Sequence, residues 1–379
     1  MNIFKREKNG TKKKICLQTS RNTKLDVGIG FPPEVQFPLF SNIRASIPII
    51  DAAISKIIRL IGDFKIKSDN EFMTEQVEYF LRDVKVVGNS NGIHNFVTCY
   101  LDSMLTFGSA LGEIIPDVNG DSIAALINVD MKRIVLKRKS ASLETEFWIS
   151  RGLNYEKIAH PELLLFSALN PTAGEPYGNS LIKGLPFVSG ILLKIYNSIG
   201  LNFDRVGNIR FSVNYKPVPN SMDADCAQEI AQNIATQWEQ AMSDGAAGIV
   251  RDFISVGDVD IKVIGADNNV IDTEIPVRQM LEQIVAKMGV PPFLLGLSWA
   301  TTERMSKQQS DILISEIESY RRIVTPGINK IIKLWARLSG FDDKFMIVWD
   351  KINLHDELTQ ARAKLLMEQA RHIEAQTSN

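Results

Sequence analysis

Residues 170–203 read NPTAGEPYGNSLIKGLPFVSGILLKIYNSIGLNF, and this stretch decides the fold. Glycine, proline and asparagine crowd its first part, 170–180, which is typical of a turn. An almost entirely apolar run follows, and its large side chains recur at helical spacing: Phe187, Ile191, Leu192, Ile195, Ile199 and Phe203. The pattern predicts a helix over residues 186–206 that buries one face, while Lys194 and Arg205 point elsewhere.

A separable block, residues 207–273, lies between this helix and the next one. Strand-like runs at 209–213, 248–250 and 261–264 surround a predicted helix at 222–242. The block is therefore expected to be a compact insertion of mixed α and β structure.

A second helix with one apolar face is predicted over residues 274–288. The sequence Gly289-Val290-Pro291-Pro292 follows it. Because proline lacks the N–H that the next helical hydrogen bond needs, the helix is expected to stop there.

The longest periodic signal in the chain lies further on. Ser306 and Gln309 match a capping box, so we expect a helix over 306–340 with a kink at Pro326. Its apolar side chains repeat at steps of three and four over 26 residues: Leu313, Ile317, Tyr320, Val324, Ile328, Ile331, Trp335 and Leu338. Residues 297–305 show no period and predict a loop before this helix. A strand at 344–349 and a charged helix at 357–375 complete the prediction.

Helices and short strands alternate upstream of the deciding stretch. Helical spacing begins at Asn42 and is expected to end at Gly62, and a second helix is predicted over 93–107. Strand-like runs are found at 111–115, 123–129, 133–138, 146–149 and 163–166. The acidic turn at 117–121 resembles a calcium loop, but it lacks the twelfth-position ligand, so a plain hairpin turn is the preferred interpretation.

Composition excludes several classes of protein. Of the 379 residues, 45% are hydrophobic and 23% charged, which excludes intrinsic disorder and predicts two or three domains. The formal net charge of −1 argues against a constitutive nucleic-acid coat. The three cysteines, Cys16, Cys99 and Cys226, form no C-x-x-C pair, which argues against a disulfide framework and favours a reducing cytoplasm.

The first 24 residues are strongly basic. They carry eight lysines and arginines against one acid, Glu7, without an apolar core behind them, so a secretory signal is excluded. We expect a flexible basic tail over 1–30, and a phosphate-binding arm is the alternative interpretation.

Signatures of catalysis and of metal binding are missing from the sequence. It contains no G-x-x-x-x-G-K-[ST], H-E-x-x-H or G-x-S-x-G, and no pair of carboxylates is singled out for acid/base work. The four histidines, His94, His160, His355 and His372, are far apart. We therefore expect no enzymatic activity, no cofactor and no metal site.

Three motifs in order resemble the portal proteins of tailed bacteriophages. They are the turn Asn170–Ser180 before a long apolar helix, the segment Met288–Gly296, and the segment Ala300–Gln309 that opens a long helix. The resemblance covers about residues 40–350, and the order and separation of the motifs make it fairly specific. It implies an α+β portal fold with a wing, a two-helix stem, an inserted clip, a tunnel loop and a short helical crown.

Carried onto this chain, the resemblance implies definite boundaries. The wing is expected at 31–185 and the clip at 207–273. The remaining parts are stem helices at 186–206 and 274–289, a tunnel loop at 297–305, a long kinked wing helix at 306–340 and a crown or C-terminal helix at 341–379.

The resemblance also implies partners and a DNA-facing surface. Portal proteins form a ring, usually a dodecamer, at one capsid vertex of the virion, after assembly in the host cytoplasm. Implied partners are double-stranded DNA without sequence preference, the terminase large subunit, a head-tail adaptor, and the major capsid and scaffolding proteins. Candidates to line the tunnel are Lys194, Arg205, Arg278, Lys287, Trp299, Thr301, Thr302 and Arg304. For each cation the alternative is a solvated helix face, and for Trp299 it is a core anchor.

Two other classes of function stay open. A DNA-binding enzyme or regulator that uses the basic tail predicts a monomer or dimer with steeply salt-dependent DNA affinity. A membrane-associated scaffold that uses residues 181–203 predicts partition into lipid, although Lys183 and Lys194 interrupt that run.

Overall fold

The computed structural model describes residues 33–86, 88, 90–138, 144–152, 154–207, 210–216, 229, 232–237, 239, 258–264, 272–297, 302–342 and 344–352. The chain divides into two units. The larger unit combines Met1–Ile191 with Gln279–Asn379, and the smaller is Leu192–Arg278. The predicted basic tail and the predicted helix at 357–375 lie outside the described residues.

Four helices open the larger unit: α1 (Pro33–Ser46), α2 (Pro48–Ile61), α3 (Glu71–Asp83) and α4 (Ile93–Phe107). The prediction of a single helix before Gly62 was wrong, because the helical segment breaks at Ile47 in an extended conformation. Pro48 explains the break, since proline disfavours the α conformation of the residue before it and suits the first turn of a new helix. The prediction for α4 is confirmed at both ends.

A four-stranded sheet lies beside these helices. Its order is β2 (Lys85–Val86), β4 (Ile123–Val129), β3 (Ser109–Pro116) and β8 (Leu164–Ala168). The pairs β3–β4 and β3–β8 are antiparallel. The Asp117 N–H donates to the Ser122 carbonyl at 2.9 Å, which confirms the plain hairpin turn.

Two smaller sheets complete the larger unit. One consists of β5 (Ile134–Arg138), β6 (Thr145–Arg151) and β7 (Asn154–Lys157), all antiparallel. The other pairs β1 (Phe64–Lys67) with β11 (Met346–Trp349). Its two strands are about 280 positions apart in the sequence, so their pairing is a long-range contact.

The smaller unit is described at its strands and in parts of one helix. The strands β9 (Arg210–Lys216) and β10 (Asp258–Ile264) form an antiparallel pair, which confirms the predicted strands near 209–213 and 261–264. Residues 232–237 are helical, inside the predicted helix at 222–242. The strand predicted at 248–250 lies outside the described residues.

Three helices remain: α5 (Leu185–Gly207), α6 (Glu274–Met288) and α7 (Glu303–Leu338). The predictions for α5 and α6 are confirmed within one residue. In contrast, α7 begins three residues before its predicted start, because the Thr302 hydroxyl, not that of Ser306, accepts the capping bond, from the Met305 N–H at 3.3 Å. The predicted apolar stripe is buried from Leu313, 1% exposed, to Trp335, 8% exposed.

A buried arginine of α7 contacts both the C-terminus of α2 and the strand β11. Arg321 of α7 is 4% exposed, and its Nε and Nη2 both donate to the Ile61 carbonyl at the C-terminus of α2. Its Nη1 bonds the Glu318 carboxylate at 2.9 Å, and its guanidinium lies 5.2 Å from the centre of the Trp349 ring. The cation therefore caps the negative end of α2 and fixes the last strand over it.

Candidate subunit interface and channel surface

The turn 170–180 anchors the start of α5 to the end of α4. The Gly178 N–H donates to Ser109 Oγ at 2.9 Å, and Ser180 Oγ donates to the Thr106 carbonyl at 2.5 Å. Ser180 Oγ in turn accepts the Ile182 N–H at 2.9 Å. These bonds are buried or half-buried, so the segment that leads into α5 is held against the end of α4.

Two glycines make this close approach possible. A Cβ at Gly178 would lie 2.1 Å from the Gly108 carbonyl oxygen, and a Cβ at Gly108 would lie 2.5 Å from the Gly178 carbonyl oxygen. Gly108 also has a φ of 83°, which disfavours every residue with a Cβ. The turn 170–180, singled out in the sequence, thus forms a close backbone-to-backbone contact with the residues that follow α4.

The helix α5 keeps much of its apolar surface in water. Val188 and Leu192 are 8% and 0% exposed, but four large side chains are 43% to 69% exposed: Phe187, Tyr196, Leu201 and Phe203. In the single chain, the predicted stripe is therefore buried at Leu192 and exposed at its two ends, Phe187 and Phe203. Within the described part of the chain these four side chains remain largely open to water, and exposed apolar surface of this kind is typical of a contact site.

The four exposed side chains lie on two nearly opposite sides of α5. At roughly 100° per residue, Leu201 projects within about 40° of Phe187, and Phe203 within about 20° of Tyr196. Each member of one pair lies roughly 140–180° from each member of the other, and Val188 and Leu192 lie between the pairs on one flank of the helix. A helix with two such sides can contact two neighbours at once.

The predicted DNA-facing residues are distributed over three helices. Lys194 on α5, Arg278 and Lys287 on α6, and Arg304 in the first turn of α7 are exposed. Arg205 belongs to α5, whereas Thr302 is exposed and caps α7. Trp299 and Thr301 lie outside the described residues. The structure thus shows accessible cations on the helices named by the sequence.

Sequence reasoning missed the second apolar side of α5. Tyr196 and Leu201 do not belong to the predicted stripe, and the signal that could have revealed them is the near absence of charge around the whole helix. A helix with so little charge is expected to be covered on more than one face in its working state.

The strand β8 is protected at its outer edge by a lysine. Lys330 of α7 donates from Nζ to the Leu164 carbonyl at 2.7 Å. Burial of this ammonium group lowers the pKa of Lys330, while the nearby Glu162 carboxylate raises it in part. The contact occupies a carbonyl that would otherwise be open to another strand.

Metal binding and membrane insertion find no support in the described residues. Among them, no three His, Cys, Asp or Glu side chains are placed to hold a metal ion. In the same part of the chain, no helix combines the length and the hydropathy that a bilayer crossing requires.

Comparison with known proteins gives matches among solved structures. No protein-family model and no curated protein matches the chain. A chain in the neck of an empty gene transfer agent particle, computed with C6 symmetry, has a TM-score of 0.64 at 13% identity, over 89% of this chain and 90% of that one. A chain in the neck of the native particle, computed with C12 symmetry, has a TM-score of 0.60 at 14% identity, over 86% and 88%.

A third structure is similar but carries less weight. An HK97 family phage portal protein from Corynebacterium diphtheriae has 10% identity over 82% of this chain and 95% of that one. Its TM-score of 0.45 is too low to bear on the fold. The likeness to the two neck structures extends over most of both chains, so this chain has the fold of a protein from the neck of gene transfer agent particles.

Proposed function

We propose that this chain is the subunit of a portal ring at one capsid vertex, through which double-stranded DNA enters during packaging and leaves during ejection. Its fold is that of chains in particle necks, whose structures were computed with C12 and C6 symmetry. The sequence motifs independently resemble portal proteins. Under this proposal the protein is a structural part of the virion and not an enzyme.

The observation that carries the proposal is the pair of exposed apolar sides on α5. In a two-fold dimer, one surface meets its own copy and a second surface stays in water. In a closed ring, each subunit presents one side to the preceding neighbour and another to the following neighbour. Phe187 with Leu201, and Tyr196 with Phe203, supply two such sides.

The parts of a portal subunit are assigned on this basis. We assign the wing to 31–185 with the long helix α7, and the stem to α5 and α6. The clip is the block 207–273, of which β9 and β10 are described. The tunnel loop of 297–305 is shortened to 297–302, since α7 begins at Glu303. The crown assigned to 341–379 begins with β11, which pairs with β1 of the wing.

The channel is proposed to hold DNA weakly. Each phosphate that a cation captures adds salt-dependent affinity and slows sliding. With a formal charge of −1 per chain, twelve copies carry a formal charge of about −12, the opposite of a DNA clamp. Lys194, Arg278, Lys287 and Arg304 are the exposed cations that steer the DNA backbone in this proposal.

The proposed partners follow from the same role. A terminase large subunit drives DNA through the ring, and a head-tail adaptor binds it from outside. The major capsid and scaffolding proteins surround it in the assembling particle, in the host cytoplasm.

Electron microscopy of the purified full-length protein tests the proposal. We expect annular particles with a central hole in negative stain, and masses of about twelve subunits by mass photometry. DNA binding is expected to be weak and independent of sequence. Compact monomers at high protein concentration, or tight sequence-specific DNA binding, would contradict a portal ring.

A further inference from the structure

An aromatic groove lies between α3 and the C-terminal end of α7. Its floor is formed by Phe80, Trp335 and Phe341, whose rings stack in series. The centres of Phe80 and Trp335 are 5.5 Å apart at an interplanar angle of 20°, and those of Trp335 and Phe341 are 5.6 Å apart at 24°. The groove encloses about 460 Å³.

The rim of the groove is aromatic and open to water. Phe72 and Tyr79 are 61% and 58% exposed, whereas Trp335 below them is 8% exposed. Phe72 also contacts Phe341, with ring centres 5.9 Å apart. A contiguous set of exposed aromatic rings above a buried floor is typical of a surface that binds a partner.

The charge around the groove favours a cationic partner. The helix α3 carries four carboxylates, Glu71, Glu75, Glu78 and Asp83, against one cation, Arg82. Arg82 already lies over the Tyr79 ring at 4.5 Å and pairs with Asp83 at 3.3 Å. The rim therefore holds one cation by a ring face and a carboxylate together. The three other carboxylates of α3 lie outside the lining of the groove and make the helix around it acidic.

One segment of this chain has the matching composition. The segment before residue 25 carries a single acidic residue, Glu7. Its basic residues are eight: Lys5, Arg6, Lys8, Lys12, Lys13, Lys14, Arg21 and Lys24. The segment lies outside the described residues, which begin at Pro33. The 24 residues of the segment span roughly 80 Å when fully extended, which exceeds the diameter of roughly 50 Å expected of a folded unit of this size, so the segment can reach the groove of its own subunit.

We propose that the basic segment 1–24 of this chain docks in the aromatic groove formed by α3 and the end of α7. The lysine and arginine side chains lie against the aromatic faces, and the α3 carboxylates neutralise them. The proposal goes beyond the portal function and does not depend on it, since a segment can occupy the groove of its own subunit.

A cross-linking experiment on the full chain tests this docking. Cys16 lies inside the basic segment and serves as the anchor, in a background of Cys99→Ser and Cys226→Ser. Gln76→Cys places a second thiol at the exposed edge of the groove. The matched control is Val118→Cys, which is 99% exposed at a hairpin turn of the same unit.

With a short bismaleimide at low salt, we expect the Gln76→Cys protein to cross-link to Cys16 at least ten times faster than the Val118→Cys protein. Electrophoresis separates a link within one chain from a link between two chains, and either supports the proposal. The excess rate is expected to fall several-fold at high salt, because screening weakens attraction between exposed charges.

Three surface changes identify what holds the segment. Phe72→Ser and Glu75→Lys, both at exposed positions of α3, are expected to lower the excess rate several-fold. Asp121→Lys makes the same charge change at the distant hairpin and is expected to leave the rate unchanged.

Equal cross-linking rates for Gln76→Cys and Val118→Cys overturn the docking. If the rates are equal and double-stranded DNA then protects Cys16 from the reagent, the basic segment is a phosphate-binding arm instead. Either result leaves the annular particles of the portal proposal untouched, so the two proposals fail separately.

Discussion

Replacing Phe203 by serine tests whether neighbouring copies of the chain cover α5. Phe203 is 69% exposed in the single chain, and a phenylalanine offers roughly 200 Å² of surface, so about 140 Å² is available for a neighbour. At about 25 cal/mol per Å², full burial of that area contributes about 3 kcal/mol to each subunit contact. The change is therefore expected to weaken each contact about a hundredfold.

Mass photometry over a dilution series measures this effect directly. Wild-type rings are expected to persist at concentrations where Phe203→Ser rings have dissociated into subunits. Because Phe203 is exposed in the single chain, the urea midpoint of the monomeric variant should match that of the wild-type monomer. Val118→Ser, which removes an apolar side chain that is 99% exposed on the β3–β4 hairpin, is expected to leave ring assembly unchanged.

The reasoning is refuted if Phe203→Ser rings dissociate at the same concentration as wild-type rings. It is also refuted if Val118→Ser weakens the ring as much as Phe203→Ser does, since a general loss of surface hydrophobicity would then explain both results.

Three further predictions concern the larger unit, and urea unfolding of the monomer checks each of them. Arg321→Met is expected to lower the free energy of unfolding by about 2–4 kcal/mol, because it leaves the Ile61 carbonyl without its donors. Arg322→Met, a change at the exposed neighbouring position, should lower the free energy of unfolding by less than about 0.5 kcal/mol. Gly178→Ala is expected to lower the free energy of unfolding by about 3 kcal/mol or more, because its Cβ would clash with the Gly108 backbone. Gly327→Ala, whose Cβ would enter open space within α7, is expected to raise the free energy of unfolding by about 0.5–1 kcal/mol. Equal effects of the two changes would contradict the close backbone contact between Gly108 and Gly178. Burial raises the pKa of Tyr320 to about 12, so the contribution of this group to stability should be constant below pH 10 and fall between pH 10 and pH 12 by up to about 1.4 kcal/mol per pH unit, and Tyr320→Phe should reduce that slope.

The sequence was sufficient wherever one periodic pattern covered a whole element. The helix α4 was predicted at both ends because Gly92 and Gly108 flank a continuous apolar pattern. The helix α6 was predicted in the same way, since Pro291 and Pro292 follow it closely. In these elements, the local preferences and the tertiary packing agree.

Prediction failed where short or charged elements depend on partners far away in the sequence. The helix α3 was missed because its charged side chains outnumber its three buried ones, Met73, Val77 and Leu81. The strand β1 has four residues and is defined by its pairing with β11. Arg321 resembles any exposed cation in sequence, and its burial follows from the position of the Ile61 carbonyl.

The candidate interface was predicted in part. The sequence predicted α5 and the burial of its apolar surface, but the predicted apolar surface was confined to one face of the helix. The contributions of Leu201 to one side and of Tyr196 to the other became visible only when the exposed fractions of individual side chains were known. The assignment of cations to the DNA channel remains a prediction.

The contact of Arg321 with Ile61 and Trp349 has a consequence for the order in which the protein forms on the ribosome. The smaller unit is one continuous segment and can fold as soon as it has emerged. The larger unit has to wait, because Trp349 is synthesised about 160 residues after the first part of that unit ends, a delay of roughly 10–30 s at ordinary rates of translation. During this interval the edge of β1 and the C-terminus of α2 lack their partners β11 and Arg321 in the nascent chain.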